Sequence, residues 1–167
     1  LVPAELRLIT ALIPENTALQ RLMLSGAKIG TNASWLSTAI RTGRMPLVEV
    51  DLGENGLSLQ HGVELVSALR EGTPRLQKLT LSDNPICGVE EGGNKDEYSS
   101  ACVAALCDWL SGGACQLQTL RLANVALCGQ TRDGNGSYQT QAAFALSEML
   151  RGGKCKLEAL DIAACKM

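Results

Sequence analysis

The chain has 167 residues, 46% hydrophobic, 19% charged and 3% aromatic, with a net charge of −2. That balance argues against a nucleic-acid module, which draws its affinity from Lys and Arg set against phosphates and from aromatic rings stacked on bases. No run of 18 or more apolar residues suggests a membrane span, and the first residues lack the basic flank and apolar core of a signal peptide.

In chain order, apolar residues at three- and four-residue spacing predict a first amphipathic helix around Leu8, Ala11 and Leu12. A short alternating segment follows, Leu19, Leu22 and Leu24, with Ala27 and Ile29 behind it, and its period of two predicts a strand. The same pair then recurs. Helix spacing at Leu36, Ala39 and Ile40 precedes Leu47, Val50, Leu52, Asn55 and Leu57. Leu65, Ala68 and Leu69 precede Leu76, Leu79, Leu81, Asn84 and Ile86. Leu106, Trp109 and Leu110 precede Leu117, Leu120, Leu122, Val125 and Leu127, and Leu146, Met149 and Leu150 precede Leu157, Leu160, Ile162, Cys165 and Met167.

The strand motif is therefore L-x-x-L-x-L-x-x-N-x-L with substitutions, and its first leucines step by 28, 29, 41 and 40 residues. A repeat of this period sets the architecture before any single residue is weighed. One strand-helix unit cannot bury its own apolar face. Stacked units join their leucines into a continuous core and their strands into a parallel sheet. Strands stack about 4.8 Å apart and helices are roughly 10 Å wide, so the stack must curve with its strands inside. The expected fold class is α/β: a right-handed curved solenoid of strand-helix repeats, parallel sheet on the concave face and helices outside, as a single domain over 1–167.

The 28–29-residue step, the five strand motifs and room for a full helix in every unit resemble the leucine-rich repeat proteins of the ribonuclease-inhibitor type, over essentially the whole chain. That family includes inhibitors, innate-immune sensors, actin-regulating proteins and a GTPase activator, so the resemblance implies the fold far more narrowly than the function. It also implies that the motif asparagine satisfies backbone groups inside the turn after each strand. Asn55 and Asn84 fit, Cys165 is the usual substitute, and Ala27 and Val125 depart, leaving their loop groups to water or other partners. No polar capping repeat is recognisable at either end. A stretch of a longer solenoid, or ends covered by another chain, is therefore expected, and self-association through those ends stays open.

Two units carry about 12 extra residues between strand and helix, at 88–98 and 129–138. Both insertions follow a cysteine (Cys87, Cys128), start with Gly and end with Tyr, and their equivalent positions place them side by side on one rim. They are either tolerated surface loops, since closure entropy grows only logarithmically with length, or a binding rim. In the second case Tyr98 and Tyr138 are the aromatic anchors, with Glu90, Glu91 and Arg132 as charged neighbours. Trp109 and Met149 stand where shorter units have alanine, which suggests a shifted helix or an insertion folded back and pinned beneath them.

Residues between the motif leucines should form ladders across the sheet: Arg21, Glu49, Lys78, Thr119, Ala159; then Met23, Asp51, Thr80, Arg121, Asp161; then Ser25, Gly53, Ser82, Ala123, Ala163. Their charges either pair with one another, for about 0–1 kcal/mol each, or read a partner. The partner-binding candidates are Arg21, Met23, Glu49, Asp51, Lys78, Thr80, Arg121 and Asp161, with Arg121 the strongest anchor.

No catalytic, cofactor-binding or metal-ligating set emerges. His61, the only histidine, falls at the start of the third helix and reads as solvent-facing. All seven cysteines lie from position 87 onward, away from it, so a Cys–His nucleophile pair is not expected. The run from Asp133 to Gly136 resembles part of a calcium loop but lacks the terminal Glu, and reads as a turn. Without C-x-x-C spacing the cysteines suggest reduced thiols in the cytosol or nucleus, although the equivalent pairs Cys87/Cys128 and Cys115/Cys155 fall where a disulfide is conceivable. The expected function is a cytoplasmic protein–protein interaction scaffold without catalysis or cofactor, and with no nucleic-acid or membrane partner. The alternatives are a regulator of an enzyme, such as a GTPase-activating or ribonuclease-inhibitor-like protein, and a ligand-sensing segment of a larger multidomain receptor.

Overall fold

The computed structural model describes residues 3–89, 98–131, 133–134 and 136–165. Within them, strands Arg21–Met23 (β1), Glu49–Asp51 (β2), Lys78–Thr80 (β3), Thr119–Arg121 (β4) and Ala159–Asp161 (β5) alternate with helices Pro3–Leu12 (α1), Ala33–Thr42 (α2), Leu59–Gly72 (α3), Ala101–Ser111 (α4) and Gln141–Arg151 (α5). The strands form one parallel sheet in the order β1-β2-β3-β4-β5. Every strand therefore pairs with the next one along the chain, and each helix packs on the next helix.

The central residues of the strands stand in one row, Leu22, Val50, Leu79, Leu120 and Leu160. The first four are buried, in one cluster with helix residues Leu36, Ile40, Leu65, Leu69, Leu106 and Leu110. Each unit thus completes the core of its neighbours. Leu79→Ala, a change in the middle of this row, is expected to cost about 2–5 kcal/mol.

The turn after each strand passes through a left-handed residue at one recurring position: Gly26, Glu54, Asp83, Asn124 and Ala164, with φ of 67, 56, 58, 53 and 55°. A residue with a Cβ pays about 1–2 kcal/mol for this conformation, and Asp and Asn tolerate it best. The N–H at this position extends the sheet ladder into the turn: Gly26 donates to Gly53 O, Glu54 to Ser82 O, Asp83 to Ala123 O and Asn124 to Ala163 O, at 2.9–3.0 Å. Stacking of the units, not the preference of the individual residue, imposes the turn.

The motif asparagines tie adjacent units together. Asn55 Nδ2 donates to Leu24 O (2.8 Å) and Gly53 O (2.9 Å), while its Oδ1 accepts from Ile29 N (3.3 Å). Asn84 Nδ2 donates to Leu52 O (2.9 Å), and its Oδ1 accepts from the Asn55 and Leu57 N–H groups (3.0 Å each). Cys165 Sγ donates to Leu122 O at 3.2 Å. Val125 has no such donor for Leu81 O, and the gap is filled from inside the unit before it. Asn84 Nδ2 also reaches Leu81 O (3.0 Å) and Ser82 O (3.1 Å), and Ile86 N turns back onto Asn84 O (2.8 Å).

Two expectations need correction. The Leu8–Ala11–Leu12 face of α1 is not buried: Leu8 and Leu12 are 63% and 64% exposed, and Ala11 is exposed as well. The equivalent residues of α2 lie between helices on both sides, whereas α1 has a helix neighbour, α2, on one side only. Leu150 of α5, also flanked by one helix, is likewise exposed. His61 is a half-buried capping residue instead of a solvent-facing one. Its Nδ1 lies 3.3 Å from the Ser58 N–H and 3.0 Å from Ser58 Oγ, closing a capping box at the start of α3.

Candidate functional site

The parallel register brings the ladder residues together as expected. Arg21, Glu49, Lys78, Thr119 and Ala159 are successive cross-strand partners, and so are Met23, Asp51, Thr80, Arg121 and Asp161. Arg21, Met23, Lys78 and Arg121 are exposed, while Glu49, Asp51, Thr80 and Asp161 are half-buried. Gly53, in the third ladder, is buried and contributes no side chain to the surface.

Mutual pairing of these charges does not occur. Among the described residues, the ion pairs are Arg41–Glu71 and Arg151–Glu148, both 2.8 Å and both on helices. The ladder carboxylates that do accept hydrogen bonds take them from their own turns: Asp51 Oδ1 from Gly53 N and Asp161 Oδ1 from Ala163 N, each 3.0 Å. Among the described residues the basic groups of Arg21, Lys78 and Arg121 meet no carboxylate within 4 Å. The sheet thus presents charges of both signs that are not joined in direct ion pairs with one another.

The two insertions share one neck. Gly88 N donates to Pro85 O and Gly129 N to Ala126 O, then Ser99 N closes on Cys87 O and Gln139 N on Cys128 O. The bases lie against each other, with Val89 Cγ1 placed 3.0 Å from where a Cβ on Gly136 would stand. In the second insertion Gln130 and Gly136 pair as an antiparallel bridge, and Gly134 N donates to Thr131 O, so Asp133 and Gly134 lie in a turn. Glu90, Glu91 and Arg132 lie outside the described residues.

The tyrosines are not equivalent. Tyr98 is half-buried; its hydroxyl donates to Leu127 O (3.1 Å) and accepts from Ala142 N in the first turn of α5 (3.3 Å). It fastens one insertion to the next unit, and its hydroxyl is engaged within the chain. Its burial pushes the phenol pKa up from the usual value. Tyr138 is 59% exposed. Trp109 is buried in the last turn of α4, at a cleft with Thr73, Pro74 and Cys115, while residues 90–97 of the insertion it was expected to pin lie outside the described residues.

All seven cysteines are free thiols. Burial pushes Cys102 up to about 12 and Cys107 up to about 11, and raises Cys87, Cys115 and Cys128 as well. Neutral, buried thiols of this kind are poor nucleophiles at physiological pH. Among the described residues no group of three or more His, Cys, Asp or Glu is placed to hold a metal ion, and no helix is long and apolar enough to cross a membrane.

One feature of the rim escaped the sequence reading: a cleft of about 470 Å3 between the turns after β2, β3 and β4 and Thr131 of the second insertion. Asp83 and Asn124 line it from equivalent turn positions. Their signal was the recurrence of turn-tolerant residues at one step of the motif, but their meeting depends on stacking. No protein-family model matches the chain, and a search of curated proteins found no match.

Proposed function

We propose that this chain is a leucine-rich-repeat solenoid of the ribonuclease-inhibitor type that acts as a protein–protein interaction scaffold in the cytoplasm, without catalysis of its own. In this reading the sheet is the concave surface and the partner lies across the ladders, meeting Arg21, Glu49, Asp51, Lys78, Arg121 and Asp161. The single observation that carries it is the absence of ion pairs among those charges, in a register that brings opposite signs onto adjacent strands. Charges not tied up in direct ion pairs with their neighbours are available to a partner, whose electrostatic complementarity steers encounter and sets specificity more than raw affinity. Arg121, exposed at the end of β4 and cross-strand from Asp161, is the anchor. The cytoplasmic placement rests on seven unpaired thiols.

The test is affinity capture from lysate of the source cells, followed by reconstitution with the purified captured protein. Arg121→Glu should abolish a capture that the unaltered chain makes, with circular dichroism unchanged, and binding should weaken as salt rises. Capture that survives simultaneous neutralisation of all six ladder charges would refute the sheet as the binding face.

A further inference from the structure

We propose that the rim cleft is a receptor for an arginine side chain carried by a protein partner. The inference rests on the reading of the chain as a protein-binding module and names the chemistry of one contact. The cleft, about 470 Å3, falls within the size range of specific ligand sites. Its one charged lining residue is Asp83, and no Lys or Arg lines it among the described residues.

The side chains of Asp83 and Asn124 place acceptors at this cleft. Asp83 Oδ1 accepts from Asn124 Nδ2 at 3.0 Å, and Asp83 makes no ion pair among the described residues. Asp83 Oδ2 and Asn124 Oδ1 therefore remain as acceptors without a donor among the described residues. Pro85 and Ala126 supply apolar lining.

A guanidinium satisfies all of these features. Its edge presents several donors in a fixed plane, which can meet a carboxylate and an amide oxygen together, and its weakly hydrated faces pack on apolar surface. A lysine ammonium offers a compact, strongly hydrated point charge and gains less from Pro85 and Ala126. Calcium needs six to eight oxygens, including several carboxylates, and one carboxylate lines this cleft. The acceptors are also held in place before any ligand arrives. Asp83 and Asn124 sit in left-handed turns whose N–H groups are bonded to the next unit.

The test uses Nα-acetyl-arginine amide as the probe and the shifts of backbone amide signals as the readout, so it needs no knowledge of the partner. Saturable shifts at Gly56, Asn124, Ala126 and Thr131 are expected, with millimolar affinity. Asp83→Asn, which keeps a turn-tolerant residue and an acceptor for Asn124, should weaken binding on the order of tenfold while leaving urea unfolding unchanged. Nα-acetyl-norleucine amide should give no shifts, and Nα-acetyl-lysine amide weaker ones. No saturable shift with the arginine probe, equal shifts with norleucine, or affinity unchanged in Asp83→Asn would overturn the inference. So would the same shifts at lower concentration with calcium. Because the probe binds without the partner, failure here leaves the sheet-face reading standing, and failure of capture through the ladders leaves the cleft standing.

Discussion

Asn84 holds more of the structure than any other polar side chain, and replacing it by Ala tests the hydrogen-bond argument directly. The side chain is 1% exposed and takes part in five hydrogen bonds: two accepted, from Asn55 N and Leu57 N, and three donated, to Leu52 O, Leu81 O and Ser82 O. Asn84→Ala removes all five and leaves buried backbone groups in two turns without that partner. Each unsatisfied buried group costs about 1–3 kcal/mol, but the losses are not additive, since water can enter the space left and partly replace the amide. An expected loss of about 3–5 kcal/mol follows, at the diagnostic end of single-residue effects. Asn55→Ala removes three such bonds and should cost about 1–2 kcal/mol less. Val125 gives Leu81 O no alternative donor, so the chain has no built-in substitute for Asn84. Asn84→Cys, copying the arrangement of Cys165 and Leu122 O, should recover part of the loss by donating to Leu52 O. Urea unfolding followed by circular dichroism measures all three. A cost below about 1 kcal/mol for Asn84→Ala, or a larger cost for Asn55→Ala, would show that the amide ladder is not what joins these units.

Further outcomes are expected from the same geometry. Tyr98→Phe should destabilise by about 1–2 kcal/mol through loss of the bonds to Leu127 O and from Ala142 N, whereas Tyr138→Phe should lie within about 0.5 kcal/mol; equal effects would refute the asymmetry of the two insertions. In Gly136→Ala the new Cβ would stand 2.0 Å from Gly129 O at a φ of +97°. The neck of the second insertion should then open at a cost of about 2–3 kcal/mol, seen as faster amide exchange at Gly129 and Gln139. Under native conditions near neutral pH, alkylation should favour Cys155, which is half-buried, over the six buried thiols, and denaturant should expose all seven. The pH dependence has a definite sign. Cys102 and Cys107 have folded pKa values above their ordinary 9.0. Their contribution is fully present below pH 9.0 and is lost as pH rises toward about 11 to 12, because the unfolded chain gives up those protons first. The unfolding temperature should fall across that window, and fall less in Cys102→Ala; identical alkaline profiles for the two proteins would contradict the assignment.

Much of the architecture was written in local pattern. The apolar period placed every strand within a few residues, and the row Leu22, Val50, Leu79, Leu120 and Leu160 pairs as the motif alignment requires. The same alignment brought the charged ladders into line. Each of these features depends on spacing within about 30–40 residues, repeated, so a one-residue error in any unit would turn leucines outward. The five units, their parallel sheet and the matching positions of the two insertions were therefore legible before any coordinates.

What depended on particular neighbours was not. Leu8 and Leu36 occupy the same place in the pattern, yet one is exposed and the other buried, because burial is set by what stands on both sides. Tyr98 and Tyr138 end matching insertions, but only Tyr98 finds Leu127 O and Ala142 N, 29 and 44 residues away. Asn84 covers the acceptor that Val125 leaves, and His61 caps a helix through a nitrogen whose target is set by the turn before it. The pairing or non-pairing of Arg21, Glu49 and Lys78, and the meeting of Asp83 with Asn124, rest on where side chains of adjacent units lie. Sequence periodicity determines which face each residue belongs to, since that follows from backbone geometry alone. Only the tertiary structure decides which polar atom meets which, because hydrogen bonds and ion pairs fall off over distances far shorter than the repeat itself.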